Sequence, residues 1–128
     1  MSDQVAHLPG DPPIPEVVAR LLRERWGIDA RRLEVETLPD GLGVSIDEGR
    51  SVFGIRVRYR SGAPDGDPWM LCADALDALV GTLVENDWGH RELPAGEGVA
   101  FGGALFAVDV TRSVPELQKV ADRILEDN

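Results

Sequence analysis

The side chains able to do chemistry are few and scattered. His7 and His90 stand far apart, and neither has a second His or Cys at ligand spacing. A zinc site takes four nitrogen or sulfur ligands, or three and a water, so these two histidines and one cysteine do not form one. Asp65-Gly66-Asp67 has the opening spacing of a calcium loop without its later ligands, and reads as a polar loop ending in a helix cap. Cys72 falls on an apolar stripe, where burial raises a thiol's pKa and works against a nucleophile. Ser45, Ser51, Ser61 and Ser113 sit in no Gly-x-Ser-x-Gly elbow and have no matching His. Gly41-x-Gly43, Gly96-x-Gly98 and Gly102-Gly103 lack the following helix and Lys of a phosphate cradle, and read as turns. The carboxylate pairs Asp74/Asp77 and Glu34/Glu36 could act as acid and base only if burial separated their pKa values. The expectation is a protein with no catalytic residue, no cofactor and no metal, and not an enzyme.

Charge on one strand is the more informative pattern. Arg56, Arg58 and Arg60 alternate with Ile55, Val57 and Tyr59, so the three guanidiniums share a strand face. Glu34, Glu36, Ser45 and Asp47 are expected to face the same way from neighbouring strands. Such a face is either solvated, its cross-strand pairs worth tenths of a kcal/mol each, or a docking surface, since Arg is favoured at interfaces. Trp69, at a helix start beside an acidic loop, is either a lid on the core or an exposed anchor. Arg56, Arg58, Arg60, Glu34, Glu36 and Trp69 are therefore the interface candidates.

The whole chain narrows the classes of partner. It has 128 residues, 13 Lys and Arg against 23 Asp and Glu, a net charge of -10 and one cysteine. That length suits one domain, and a lone Cys forms no intrachain disulfide, which fits a reducing compartment. The acid excess makes nucleic acid an unfavourable partner, because phosphate affinity comes from Lys and Arg. No apolar run reaches the ~20 residues of a membrane span, and the N-terminus lacks a signal-peptide pattern. The expected location is the cytoplasm, or a particle assembled from it, with a protein partner or self-association and no membrane or evident small-molecule substrate.

The elements that would position these residues are legible in outline. Residues 1–14, with Pro9, Pro12 and Pro13, read as an extended Pro-rich arm, either a mobile leader or a docking arm with Ile14 as its anchor. A single α+β domain over 15–128 follows. A helix starts at Pro15 with the stripe Val18, Leu21, Leu22 and Trp26, and stops at Gly27. Three antiparallel strands follow, over 33–38, about 42–47 and about 53–60. Asp67 caps a helix beginning at Pro68 with Cys72, Leu76, Leu79, Val80 and Leu83 inward; Gly81 within it costs about 1 kcal/mol relative to Ala, which implies a close contact there. Trp88–Leu93 reads as strand, 94–98 as a turn, and the stretch ending 106–111 as strand with Gly102-Gly103 as bulge or tight turn. Ser113 and Glu116 have capping-box spacing before a C-terminal helix carrying Leu117, Val120, Ala121, Ile124 and Leu125. The sum is an α+β fold: an antiparallel sheet of four to five strands packed by helices.

The stretch from Ile55 to Trp69, followed by Ala73-Asp-Ala-Leu-Asp-Ala-Leu79, gives a strand, a Gly/Pro/Asp loop and an acidic-apolar helix; Phe101 to Arg112 gives Gly-Gly then strand. In this order the chain resembles bacteriophage tail-terminator and tail-completion proteins over about half its length. That resemblance implies a homo-oligomeric ring and no catalysis. The helix from Ser113 is more similar to type III secretion chaperone-like proteins. The expected function is a non-catalytic protein-interaction or assembly protein, tail-terminator-like in its most concrete form. The alternative is an acidic inhibitor, immunity protein or secretion-chaperone-like protein that binds a basic partner, with the net charge steering the encounter.

Overall fold

The computed structural model describes Leu8 and residues 10–62 and 67–114. The fold is α+β, in the order α1 (Pro15–Trp26), β1 (Leu33–Leu38), β2 (Gly41–Asp47), β3 (Val52–Gly62), α2 (Pro68–Glu85), β4 (Gly96–Phe101) and β5 (Ala104–Ser113). The five strands form one antiparallel sheet in the order β1-β2-β3-β5-β4. Short connections place β1, β2 and β3 side by side, and α2 carries the chain across the sheet so that β5 pairs with β3. Neither helix is long and apolar enough to cross a membrane.

Both helices pack on one face. Leu42, Val44, Ile46, Phe53, Ile55, Val57, Phe106 and Val108 point from the sheet into one cluster with Val18 and Leu22 of α1 and Cys72, Leu76, Leu79, Val80 and Leu83 of α2. Period-two apolar patterns in the strands and helical spacing in α1 and α2 give that result directly. α2 starts as its sequence dictates: the Asp67 carboxylate accepts from the Trp69 amide at 2.9 Å, and Pro68 stands at the first helical position. α1 ends at Gly27, whose φ of 65° is left-handed.

The close contact expected at Gly81 is with Trp26. A Cβ built on Gly81 would lie 2.5 Å from Trp26 Cη2, well inside van der Waals contact. The indole is held there, since its Nε1 donates to Asp77 Oδ1 at 2.9 Å, and Arg25 Nε pairs with Asp77 Oδ2 at 3.3 Å. Asp77 thus joins α2 to the end of α1.

Several expectations are corrected. Leu21 does not share the buried stripe of α1; it is 62% exposed, and Ala19 takes the inward position. Ile14 is not the anchor of the arm, being 67% exposed as the residue before α1. Among the described residues before α1, Leu8 is the anchored one, buried, with its amide donating to Pro39 O at 3.1 Å. Trp88–Leu93 is not a strand. Asp87 and Trp88 take left-handed φ values of 52° and 66°, and a 3-10 turn covers His90–Glu92. Trp88 and Leu93 instead close the end of the core, with Trp88 stacked on Phe53 at 6.0 Å. The expected turn at 94–98 instead opens β4, with a bulge between Gly96 and Val99. Gly102-Gly103, with φ of 53° and 84°, is the tight turn of the β4–β5 hairpin. Ser113 closes β5 opposite Val52, and the helix expected beyond it lies outside the described residues, as do His7 and Asp65-Gly66.

Gly81→Ala tests the α1–α2 joint. In a free helix this change stabilises by about 1 kcal/mol, whereas here the overpacking against Trp26 outweighs that gain and the net loss is about 1–2 kcal/mol. Chemical denaturation should therefore show a lower midpoint, and Trp26 fluorescence should report a displaced indole.

Candidate binding face

The face of the sheet opposite the helices carries the polar residues, and strand register aligns them in rows. Glu36, Gly43, Arg56 and Asp109 stand in one row across β1, β2, β3 and β5. Glu34, Ser45, Gly54 and Thr111 form the next. The expectation that Glu34, Glu36 and Ser45 share a face with Arg56 and Arg58 is met by this register. Asp109 and Thr111 were not foreseen, because only the pairing of β5 with β3, set by the α2 crossover, brings them to the same surface.

Two glycines shape this face. Gly43 has no side chain to separate its neighbours, so Arg56 Nε on β3 reaches Glu36 Oε1 on β1 at 3.0 Å, across the intervening strand. A Cβ on Gly43 would meet Glu36 Oε1 at 2.8 Å and Arg56 Cγ at 3.2 Å. Gly54, beside Ser45, makes room for the Thr111 side chain, since a Cβ there would meet Thr111 Oγ1 at 2.6 Å. The result is an open trough of about 640 Å³, floored by Ser45 and Gly54 and edged by Glu34, Glu36, Arg56 and Asp109. Glycine at outward strand positions is the sequence signal that could have located it, since it marks close approach of another group.

The arginines differ from one another. Arg56 is neutralised by Glu36, and both side chains are about half exposed, so the pair contributes tenths of a kcal/mol and mainly fixes geometry. Arg60 sits at a register shift in β3 and ties the sheet end together, with Asp40 at 3.1 Å on one side and Glu97 at 3.5 Å on the other. Arg58 makes no ion pair among the described residues, and its buried Nε has no acceptor there. The stripe expected to be positive is thus largely compensated. Within the trough the balance is reversed, three carboxylates standing against the one guanidinium of Arg56. No group of three or more His, Cys, Asp or Glu side chains among the described residues converges as metal ligands do.

Trp69 is removed from this surface. It is 3% exposed and belongs to the core, its Nε1 without an acceptor among the described residues. Cys72 is likewise a core residue. Burial foremost, then the carboxylates of Asp40 and Asp67, pushes its thiol up to about 12.

Against known proteins, no family model, no curated protein and no solved structure matches the chain.

Cys72 gives a direct check on the packing. It should resist alkylation in the native protein at mildly alkaline pH and react at a rate set by opening of the fold. A folded thiol near 12 against 9.0 unfolded means that this group's contribution is intact below pH 9 and is lost as pH rises from about 9 towards 12. The difference in stability between wild type and Cys72→Ala, followed by denaturation across that window, should narrow accordingly.

Proposed function

We propose that the protein works without catalysis, as a binding protein whose outer sheet face docks a basic segment of a partner protein. The observation that carries this reading is the trough of Glu34, Glu36 and Asp109 over the Ser45–Gly54 floor. An extended Lys or Arg side chain can lie over the low row of Ser45, Gly54 and Thr111 and bring its cation between the carboxylates. Arg56, fixed by Glu36, borders that place and narrows it. The net charge of -10 would draw a basic partner from a distance, and the local carboxylates would set its register. An inhibitor, immunity protein or secretion-chaperone-like protein acting on a basic partner is the biological form of this reading.

Self-association into a ring, as in the tail-terminator-like form, is the second reading. Its support is the order of helix, three strands, helix and two strands.

Titration of isotopically labelled protein with an oligolysine peptide separates these readings. Docking in the trough should move the amide resonances of Ser45, Gly54 and Thr111, and an oligoglutamate peptide should move none of them. Asp109→Asn should weaken oligolysine binding about three- to tenfold while leaving the unfolding midpoint within error, and added salt should weaken it further. Unmoved resonances at the trough would remove the reading. A ring mass by light scattering without oligolysine binding would put the second in its place.

A further inference from the structure

The helical side of the molecule carries a surface of a different kind. Among the described residues, the exposed large apolar side chains include Val17 and Leu21 of α1 and Met70 of α2, and these three line one groove of about 550 Å³ between the helices. Val17 and Leu21 stand one turn apart, so α1 offers an apolar row along the groove, with Met70 and Ala73 on the α2 wall. Single exposed apolar residues are ordinary, but a contiguous patch marks an interaction surface. A row of this kind between two packed helices accepts the side chains of a third helix, whose anchors recur every three or four residues.

Charge on the walls selects the kind of helix. Glu24 stands three residues beyond Leu21 on α1, and Asp74 stands four residues beyond Met70 on α2, so each wall carries a carboxylate. Both are exposed, and neither makes an ion pair among the described residues. The other charged groups that line the groove, Arg25 and Asp77, satisfy each other. The uncompensated charge is therefore negative on both sides of an apolar centre. A second copy of this chain seated there would set like charges against one another, and the negative surface of a membrane would meet the same repulsion. We infer that the α1–α2 groove is a docking site for a basic amphipathic helix of a partner protein. The apolar stripe of that helix fills the groove over Val17, Leu21 and Met70, and Lys or Arg residues flanking the stripe lie against Glu24 and Asp74. Apolar burial supplies the affinity, and the two carboxylates supply the preference for cationic flanks. The groove lies on the opposite side of the sheet from the trough, and the inference does not rest on what the trough binds.

Titration of the full chain carrying carbon-13 methionine methyl groups tests the inference, since Met70 is one of 2 methionines. The probe is a peptide of about 14 residues, roughly four helical turns, built of Leu at helical spacing with Lys on both margins. It should move the Met70 methyl resonance. Oligolysine, which has no apolar face, should not move it, and neither should a peptide of the same pattern with Glu in place of Lys. Leu21→Ala should weaken binding of the Leu-Lys peptide at least about tenfold, as expected when a central apolar anchor is lost. Glu24→Gln and Asp74→Asn together should weaken it about three- to tenfold. Each variant should keep the wild-type circular dichroism, because these side chains are already exposed. Asp109→Asn should leave the Met70 response unaltered, which separates this surface from the trough. A Met70 methyl unmoved by the Leu-Lys peptide, moved equally by the Leu-Glu peptide, or indifferent to loss of the two carboxylates would each overturn the inference. So would a Met70 methyl that moves on dilution of the protein alone, as a second copy in the groove requires.

Discussion

The indole of Trp26 lies against the bare backbone of α2 at Gly81, and the placement of the helical layer follows from that contact. α1 has only three fully buried side chains with which to hold the sheet, and its outward arc is apolar too, so burial alone leaves its roll poorly defined. The joint supplies the missing constraint. Asp77 accepts from the indole on one oxygen and pairs with Arg25 on the other, so one carboxylate fixes both the ring and the residue before it. With the end of α1 pinned to α2, Val18 and Leu22 must face the core, and Val17 and Leu21 must face out along the seam. The groove between the helices is a consequence of how closely they are joined.

The sheet uses the same physical device for a different purpose. Where Gly81 admits an aromatic ring between helices, Gly43 admits an ion pair between strands that are not neighbours, and Gly54 admits the Thr111 hydroxyl from β5. In each case the absence of a Cβ determines which distant groups can meet. The helical glycine works against its own helix by about 1 kcal/mol, a cost offset by the packing and hydrogen bond of Trp26. The sheet glycines weaken β2 and β3 locally, at positions flanked by Val44, Ile46, Phe53 and Ile55, whose burial holds both strands in register. One face of the molecule becomes an acidic trough and the other an apolar seam.

Much of the fold could be read along the chain, because it rests on short-range rules. Pro15, Gly27, Asp67 and Pro68 mark helix ends through their own backbone preferences, and Phe53-Ile55-Val57 against Arg56-Arg58-Arg60 shows its two faces by alternation alone. Reading failed where apolar residues serve packing without forming a ladder. Trp88 and Leu93 bound a run that reads as a strand, yet they cap the core from a loop whose left-handed residues no periodicity announces. Leu21 failed for a related reason, since helical spacing identifies an apolar residue without saying which of two arcs will be covered.

The sequence by itself determined the class of fold and the order of its described elements, because each depends on residue type and local spacing. Only the tertiary structure decided what the charges amount to. Three arginines in a row read as a positive stripe, but Glu36, Asp40 and Glu97 approach from other strands and turns to neutralise two of them. Asp109 meets that face only because α2 carries the chain over to pair β5 with β3. Net charge is a sum over the chain, whereas a binding face depends on which terms of the sum are neighbours. That adjacency is set by strand register and by the side chains that glycine leaves out.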